Sequence, residues 1–206
     1  MFAFAHSTPC ARVVPAVRAG RLSARRCIAV APIRRRFANA PTRSFRSSVC
    51  VQAGLNKGDS LTSYAEYKKS VASSGGGKVT LSSFKGKKPV VLFFYPKAGT
   101  PGCTKEAQKF RDDYAKFKKV GAAVFGISGD SLDEQKAFSS AESLPYPLLV
   151  DEGDALRKGF GIKSDLFGAL PGRQTFVIGK DGTCLLSYNN QLSPEKHVDE
   201  ALKALQ

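Results

Sequence analysis

Val90-Val-Leu-Phe-Phe-Tyr95-Pro96-Lys-Ala-Gly-Thr100-Pro-Gly-Cys103-Thr104 is the stretch that decides how this chain folds. Its first six residues form a continuous apolar run of β-branched and aromatic side chains, as in a central strand covered on both faces. Cys103, Ala107, Phe110, Tyr114 and Phe117 then recur at helical spacing. Lys116, Lys118 and Lys119 favour the C-terminus of that helix, and Gly121 stops it. Cys103 therefore sits where a buried strand ends and a helix begins. A thiol at a helix N-terminus meets unpaired backbone N–H groups and the positive end of the dipole, which favour thiolate over thiol. A lone cysteine is more often a small inert core residue. Here Pro96 and Pro101 stiffen the loop, Gly99 and Gly102 permit close backbone approach, and Thr100 places a hydroxyl beside the thiol. That neighbourhood suits a nucleophile.

Further along, Ala122–Ile127 reads as a second strand, and Ser131-Leu-Asp-Glu134 has capping-box form, opening a helix to about Ser143. Tyr146–Val150 predicts a third strand and Glu152–Phe160 a helix. Thr175–Ile178 and Thr183–Tyr188 flank Lys180-Asp-Gly182, a hairpin signal. Ser193 as N-cap and Pro194 at the first helical position begin a last helix with Val198, Ala201, Leu202 and Leu205 on its buried stripe. Alternating strands and helices followed by a hairpin predict an α/β domain, a mostly parallel sheet flanked by helices with antiparallel strands added. Ser73-Ser-Gly-Gly-Gly77 reads as a flexible loop. In residues 60–72, Leu61, Tyr64, Ala65 and Val71 fit one helical face, though over a short span.

The net charge of +15 resembles a nucleic-acid signature until it is located. Residues 1–53 hold ten arginines and no lysine, aspartate or glutamate, which leaves +5 for residues 54–206, an ordinary mixed surface. Arg-rich, Ser-containing and acid-free is the composition of an organelle transit peptide, so residues 1–53 are expected to be cleaved and disordered and 54–206 to form one domain. Val51-Gln-Ala53 resembles the end of plastid transit peptides. That favours chloroplast over mitochondrion, and over a basic arm for RNA or anionic lipid. No stretch approaches the ~18 apolar residues of a membrane span, so neither nucleic-acid binding nor membrane insertion is expected. Without residues 1–53 only Cys103 and Cys184 remain. No Cys-x-x-Cys or Cys/His cluster offers a metal site, and no cofactor is implied. His197 lies far from Cys103 in sequence, which argues against a Cys–His dyad.

The Pro96/Thr100/Cys103 segment resembles the peroxiredoxins, whose signature is Pro-x-x-x-Thr-x-x-Cys. Thr100-Pro-Gly-Cys-Thr104 narrows the resemblance to the peroxiredoxin Q, or bacterioferritin-comigratory-protein, branch. Leu166-Phe-Gly-Ala-Leu-Pro-Gly-Arg-Gln-Thr-Phe-Val177 is similar to that branch's second block, and Tyr188-Asn-Asn-Gln191 and Pro194-Glu-Lys-His197 fit it too. The resemblance implies a thioredoxin-like fold and a thiol-dependent peroxidase acting on hydrogen peroxide and organic hydroperoxides. It implies Cys103 as peroxidatic cysteine, passing through sulfenic acid. Thr100 would hydrogen-bond thiolate and peroxide, Arg173 would hold the thiolate and the leaving oxygen, and Pro96 would shield the thiolate from water. Thr104 and Glu106 are read as capping and solvated respectively.

Many members of that branch carry a second cysteine five residues after the first, and here that residue is Gln108. Cys184 is then the only candidate resolving cysteine, although its place in Thr183-Cys-Leu-Leu-Ser-Tyr188 favours a core residue. One-cysteine behaviour follows, with thioredoxin, glutaredoxin or glutathione as reductant and a monomer or weak dimer as the assembly. A redox sensor or chaperone-like module on the same fold, oxidised at Cys103 without efficient turnover, is the alternative. The family's extended entry segment is missing from residues 60–72, which leaves its first hairpin in question.

Overall fold

The computed structural model describes residues 54–165, 168 and 170–206. The transit-peptide reading of residues 1–53 lies outside the described residues, as do three residues of the second motif. The described chain begins with 3-10 turns at Leu61–Ser63 and Ala65–Lys68, then pairs β1 (Ser70–Ala72) with β2 (Lys78–Thr80) in a hairpin. Leu61, Tyr64 and Tyr67 are buried while Ala65 is exposed, so the spacing is the three-residue period of a 3-10 helix rather than an α-helical face. Val71 belongs to β1. The glycine-rich run is a docked turn rather than a free loop: Ser74 N–H donates to the Leu148 carbonyl at 2.8 Å, and Leu148 N–H donates back to Ser74 Oγ at 2.9 Å.

Next come β3 (Val90–Phe94), α1 (Pro101–Asp112), α2 (Tyr114–Lys119), β4 (Ala123–Ser128), α3 (Leu132–Ala141), β5 (Leu148–Val150), α4 (Ala155–Gly159), β6 (Gln174–Ile178), β7 (Cys184–Asn189) and α5 (Lys196–Ala204). The five-stranded sheet runs β5-β4-β3-β6-β7, parallel from β5 to β3 and antiparallel from β3 to β7. This is the mixed α/β architecture that the chain's pattern predicts. The Ser131 capping box forms in full. The predicted helix after Cys103 breaks at Asp113 into α1 and α2, and the one after Asp151 breaks where Gly153 and Asp154 turn to positive φ. The last helix begins at Lys196, after a turn through Ser193 and Pro194.

All five residues of β3 are buried, and their alternation feeds two cores. Leu92 and Phe94 face one cluster with Phe176, Ile178 and Cys184, while Val91, Phe93 and Tyr95 face the other with Cys103, Ala107 and Phe110. The second cluster fixes α1 against the sheet. The Phe110 ring stacks on Phe93 at 4.3 Å, and the Tyr146 hydroxyl donates to the Ala107 carbonyl at 2.7 Å. Truncating Phe110 to alanine would cost about 3–5 kcal/mol and free the helix that carries Cys103.

Candidate active site

Three segments converge at the carboxyl end of β3. Pro96, half-buried, opens the loop that follows the strand. Asp130, just after β4, takes the Ala98 N–H on Oδ2 at 2.7 Å and pins that loop in place. Its carboxylate is oriented in turn by Ser128 Oγ at 2.7 Å, part of a buried chain through Gln135 to the Tyr95 hydroxyl. Thr100 is the residue before α1. Its hydroxyl donates to the Lys97 carbonyl at 3.0 Å, so in this state its proton points into the loop and not at the thiol. Cys103, third in α1, is 1% exposed.

Arg173, immediately before β6, is 3% exposed and donates through Nη2 to Cys103 Sγ at 3.3 Å. Residues 70 apart in sequence meet because β6 pairs antiparallel with β3, aligning Gln174 with Phe94. Gly102 lets them meet. A Cβ there would lie 3.2 Å from Arg173 Nη2, tighter than ordinary contact. Gly172 is more tightly constrained, since a Cβ there would overlap the Lys163 carbonyl oxygen.

The second nitrogen of the fork is committed as well. Arg173 Nη1 donates to Glu106 Oε2, and Glu106 is fully buried, which corrects its reading as a solvated first-turn residue. Burial pushes the Glu106 carboxyl up to about 8, against the pull of Arg173. Burial also works against the Arg173 cation, but Glu106 and Cys103 outweigh it and raise its pKa. The guanidinium is therefore a fixed cation shared between a thiol and a carboxyl. His197 stands behind that pair. Far from Cys103 in sequence, it nevertheless comes within 3.7 Å of Glu106 Oε1. Its Nε2 donates to the Asn190 carbonyl at 2.9 Å, which leaves Nδ1 to accept from Thr175 Oγ1 at 2.8 Å. Burial holds its pKa down at about 4, so the ring is neutral at pH 7. It serves the Arg173 pocket and forms no hydrogen bond to Cys103 Sγ.

Cys184 is elsewhere. It lies in the core cluster on the opposite face of the sheet from Cys103, and its Sγ donates to the Leu186 carbonyl at 3.2 Å. Burial pushes its thiol up to about 12. Gln108 is on α1, with its amide donating to Glu142 Oε2 at 2.8 Å.

Residues 65–185 match the model of the AhpC/TSA family. The chain belongs to this family. Within it, the chain falls in the peroxiredoxin Q branch, being 51% identical to peroxiredoxin Q of Gentiana triflora over 81% of this chain and 74% of that protein. Peroxiredoxin Q of Suaeda salsa is 61% identical over 64% of this chain, a span that covers 61% of the relative's own length. Among solved structures, peroxidoxin BcpB of Mycobacterium tuberculosis superposes with a TM-score of 0.65 at 38% identity, covering 73% of this chain and 96% of that one. The sheet order and flanking helices are thus those of the thioredoxin-like peroxiredoxin Q fold. Glu106 and the loop anchor Asp130 are members of the site that motif reading leaves out, and His197, quoted in Pro194-Glu-Lys-His197, is given no role by it.

Proposed function

We propose that Cys103 is the peroxidatic cysteine of this peroxiredoxin Q, a thiol peroxidase that reduces peroxides. The observation that carries the assignment is the 3.3 Å contact between Arg173 Nη2 and Cys103 Sγ, both side chains being buried. A cation fixed there needs no reorganisation when charge moves from sulfur onto oxygen. The thiolate attacks one oxygen of the peroxide; the S–O bond forms as the O–O bond breaks, and the leaving oxygen departs with the electron pair to become water or alcohol once protonated. Cys103 is left as sulfenic acid. The Thr100 oxygen retains lone pairs to accept the peroxide O–H, since its own proton is given to Lys97. Pro96 shields the thiolate from water.

The cycle is completed by an external thiol. Gln108 cannot form a disulfide, and Cys184 lies on the far face of the sheet. Two equivalents of reductant thiol, from thioredoxin, glutaredoxin or glutathione, return sulfenic acid to thiol with release of water and a disulfide of the donor. No bound cofactor enters the chemistry, and the working unit is a monomer or weak dimer. The curated relatives are named chloroplastic, and the same compartment holds for this chain, with residues 1–53 as its transit peptide. The test is peroxide consumption by the full chain and its Cys103→Ser and Cys184→Ser variants, with thioredoxin and with glutathione. Many turnovers, abolished by the first change and kept within about twofold by the second, are expected. Consumption that stops near one equivalent per chain would instead mark a sensor.

A further inference from the structure

We propose that Arg157 is a positioning residue that sets the distance between Cys103 and Arg173 by clamping the two backbone segments that carry them. The inference rests on the reading of Cys103 as the peroxidatic cysteine. Arg157, on the single-turn α4, is 4% exposed, and its fork bridges two loops remote in sequence. Nη2 donates to the Tyr95 carbonyl at 2.6 Å, and Nη1 donates to the Gly172 carbonyl. Those carbonyls belong to the peptide units that lead directly into Pro96 and Arg173. One guanidinium therefore holds both halves of the site by the backbone.

The position in the sheet explains the need. The β3–β6 ladder ends at the Phe94–Gln174 pair, and the chain beyond it diverges into the Cys103 loop on one side and Arg173 on the other. Ladder hydrogen bonds no longer fix the spacing there. Arg157 takes over with a rigid planar fork, which a flexible ammonium cannot reproduce. Its charge is paired with one half-exposed carboxylate and without a hydrogen bond: Asp154 Oδ1 is 3.5 Å from Nε. Asp151 is spent on the backbone N–H groups of Leu156 and Arg157 at 2.7 and 3.0 Å. A buried cation that gives its hydrogen bonds to two carbonyls, lies 5.6 Å over the Phe94 ring and is steadied from one side by Asp154 is built to hold backbone. Since a misplacement of about 1 Å can cost ~10²-fold in rate, a clamp at this point acts on chemistry.

The experiment is the second-order rate at which hydrogen peroxide oxidises Cys103 in the full chain, read by stopped flow on protein shown folded by circular dichroism. It is paired with the rate of iodoacetamide alkylation at pH 7. Arg157→Lys keeps the charge but spans only one carbonyl, and both rates should fall at least tenfold. Asp154→Asn, at a left-handed position that Asn tolerates, loosens the guanidinium without removing it and should slow oxidation two- to fivefold. A merely structural Arg157 would lower the melting temperature and leave both rates of the folded protein untouched. A folded Arg157→Lys chain at the wild-type rates overturns the proposal. If that variant does not fold, Asp154→Asn at the wild-type rate overturns it. A wild-type chain whose Cys103 resists peroxide would instead defeat the peroxidatic assignment.

Discussion

Cys103 and Cys184 are each 1% exposed, yet the two faces of one sheet give them opposite chemistry. On one face the thiol sits in the first turn of α1 against Arg173, backed by Glu106 and a neutral His197. On the other it faces Leu, Phe and Ile side chains and donates to a carbonyl, and burial, with the charge of Asp59, raises its pKa to about 12. Burial therefore does not separate the cysteine proposed as reactive from the one proposed as inert. The separation comes from a cation delivered to the sulfur, and the sheet register delivers it.

The sharpest way to break that contrast is to remove the cation. Arg173→Gln should lower the rate of Cys103 oxidation by about 10²–10³, the usual loss when a preorganised donor is deleted from a site. Alkylation of Cys184 in unfolded protein should be unaffected, and stopped-flow oxidation with a parallel thiol count checks both.

The next effect is on stability. The His197 pKa is held near 4 in the folded chain against an ordinary 6.5, so between those values the unfolded chain binds a proton that the native one does not. Stability supplied by the neutral ring is whole above pH 6.5 and is lost as pH falls to 4. The loss is about 3 kcal/mol on a fully buried imidazole. Glu106, raised by burial, slopes the other way between 4.5 and 8. Urea denaturation of the wild type and His197→Gln across pH 4–7 should therefore give curves that converge on acidification. Parallel curves would show that His197 does not titrate on unfolding.

A smaller change separates rate from stability. Gly102→Ala puts a methyl 3.2 Å from Arg173 Nη2, while helix propensity favours alanine by up to ~1 kcal/mol. The variant should oxidise severalfold more slowly and melt no lower, whereas a methyl placed beside Cys184 would disturb packing only. Equal rates would mean that the Arg173 fork has room to spare.

These contrasts follow the line between what could and could not be read from residues alone. β3 and the helix start that carries Cys103 were legible because they lie in one continuous local pattern, while Arg173 entered only through the family resemblance. Glu106 was misread, although the signal existed: positions 103, 106, 107 and 110 share one helical face, and a carboxylate on a buried stripe requires a partner. His197 is the same case, next to Val198 and one turn before Ala201. Arg157 gave no such signal, because its helix has one turn and its partners are backbone carbonyls from two other loops. The opening segment misled for a different reason. Leu61, Tyr64 and Tyr67 repeat every third residue, and a 3.6-residue template takes Ala65 in place of Tyr67.

The most direct test of the account treats the full chain with one equivalent of hydrogen peroxide in the presence of dimedone, then maps the modified peptides by mass spectrometry. The account predicts a dimedone adduct on Cys103 at near-stoichiometric yield, with Cys184 recovered as free thiol. An adduct on Cys184, or a Cys103–Cys184 disulfide in comparable yield, would contradict it.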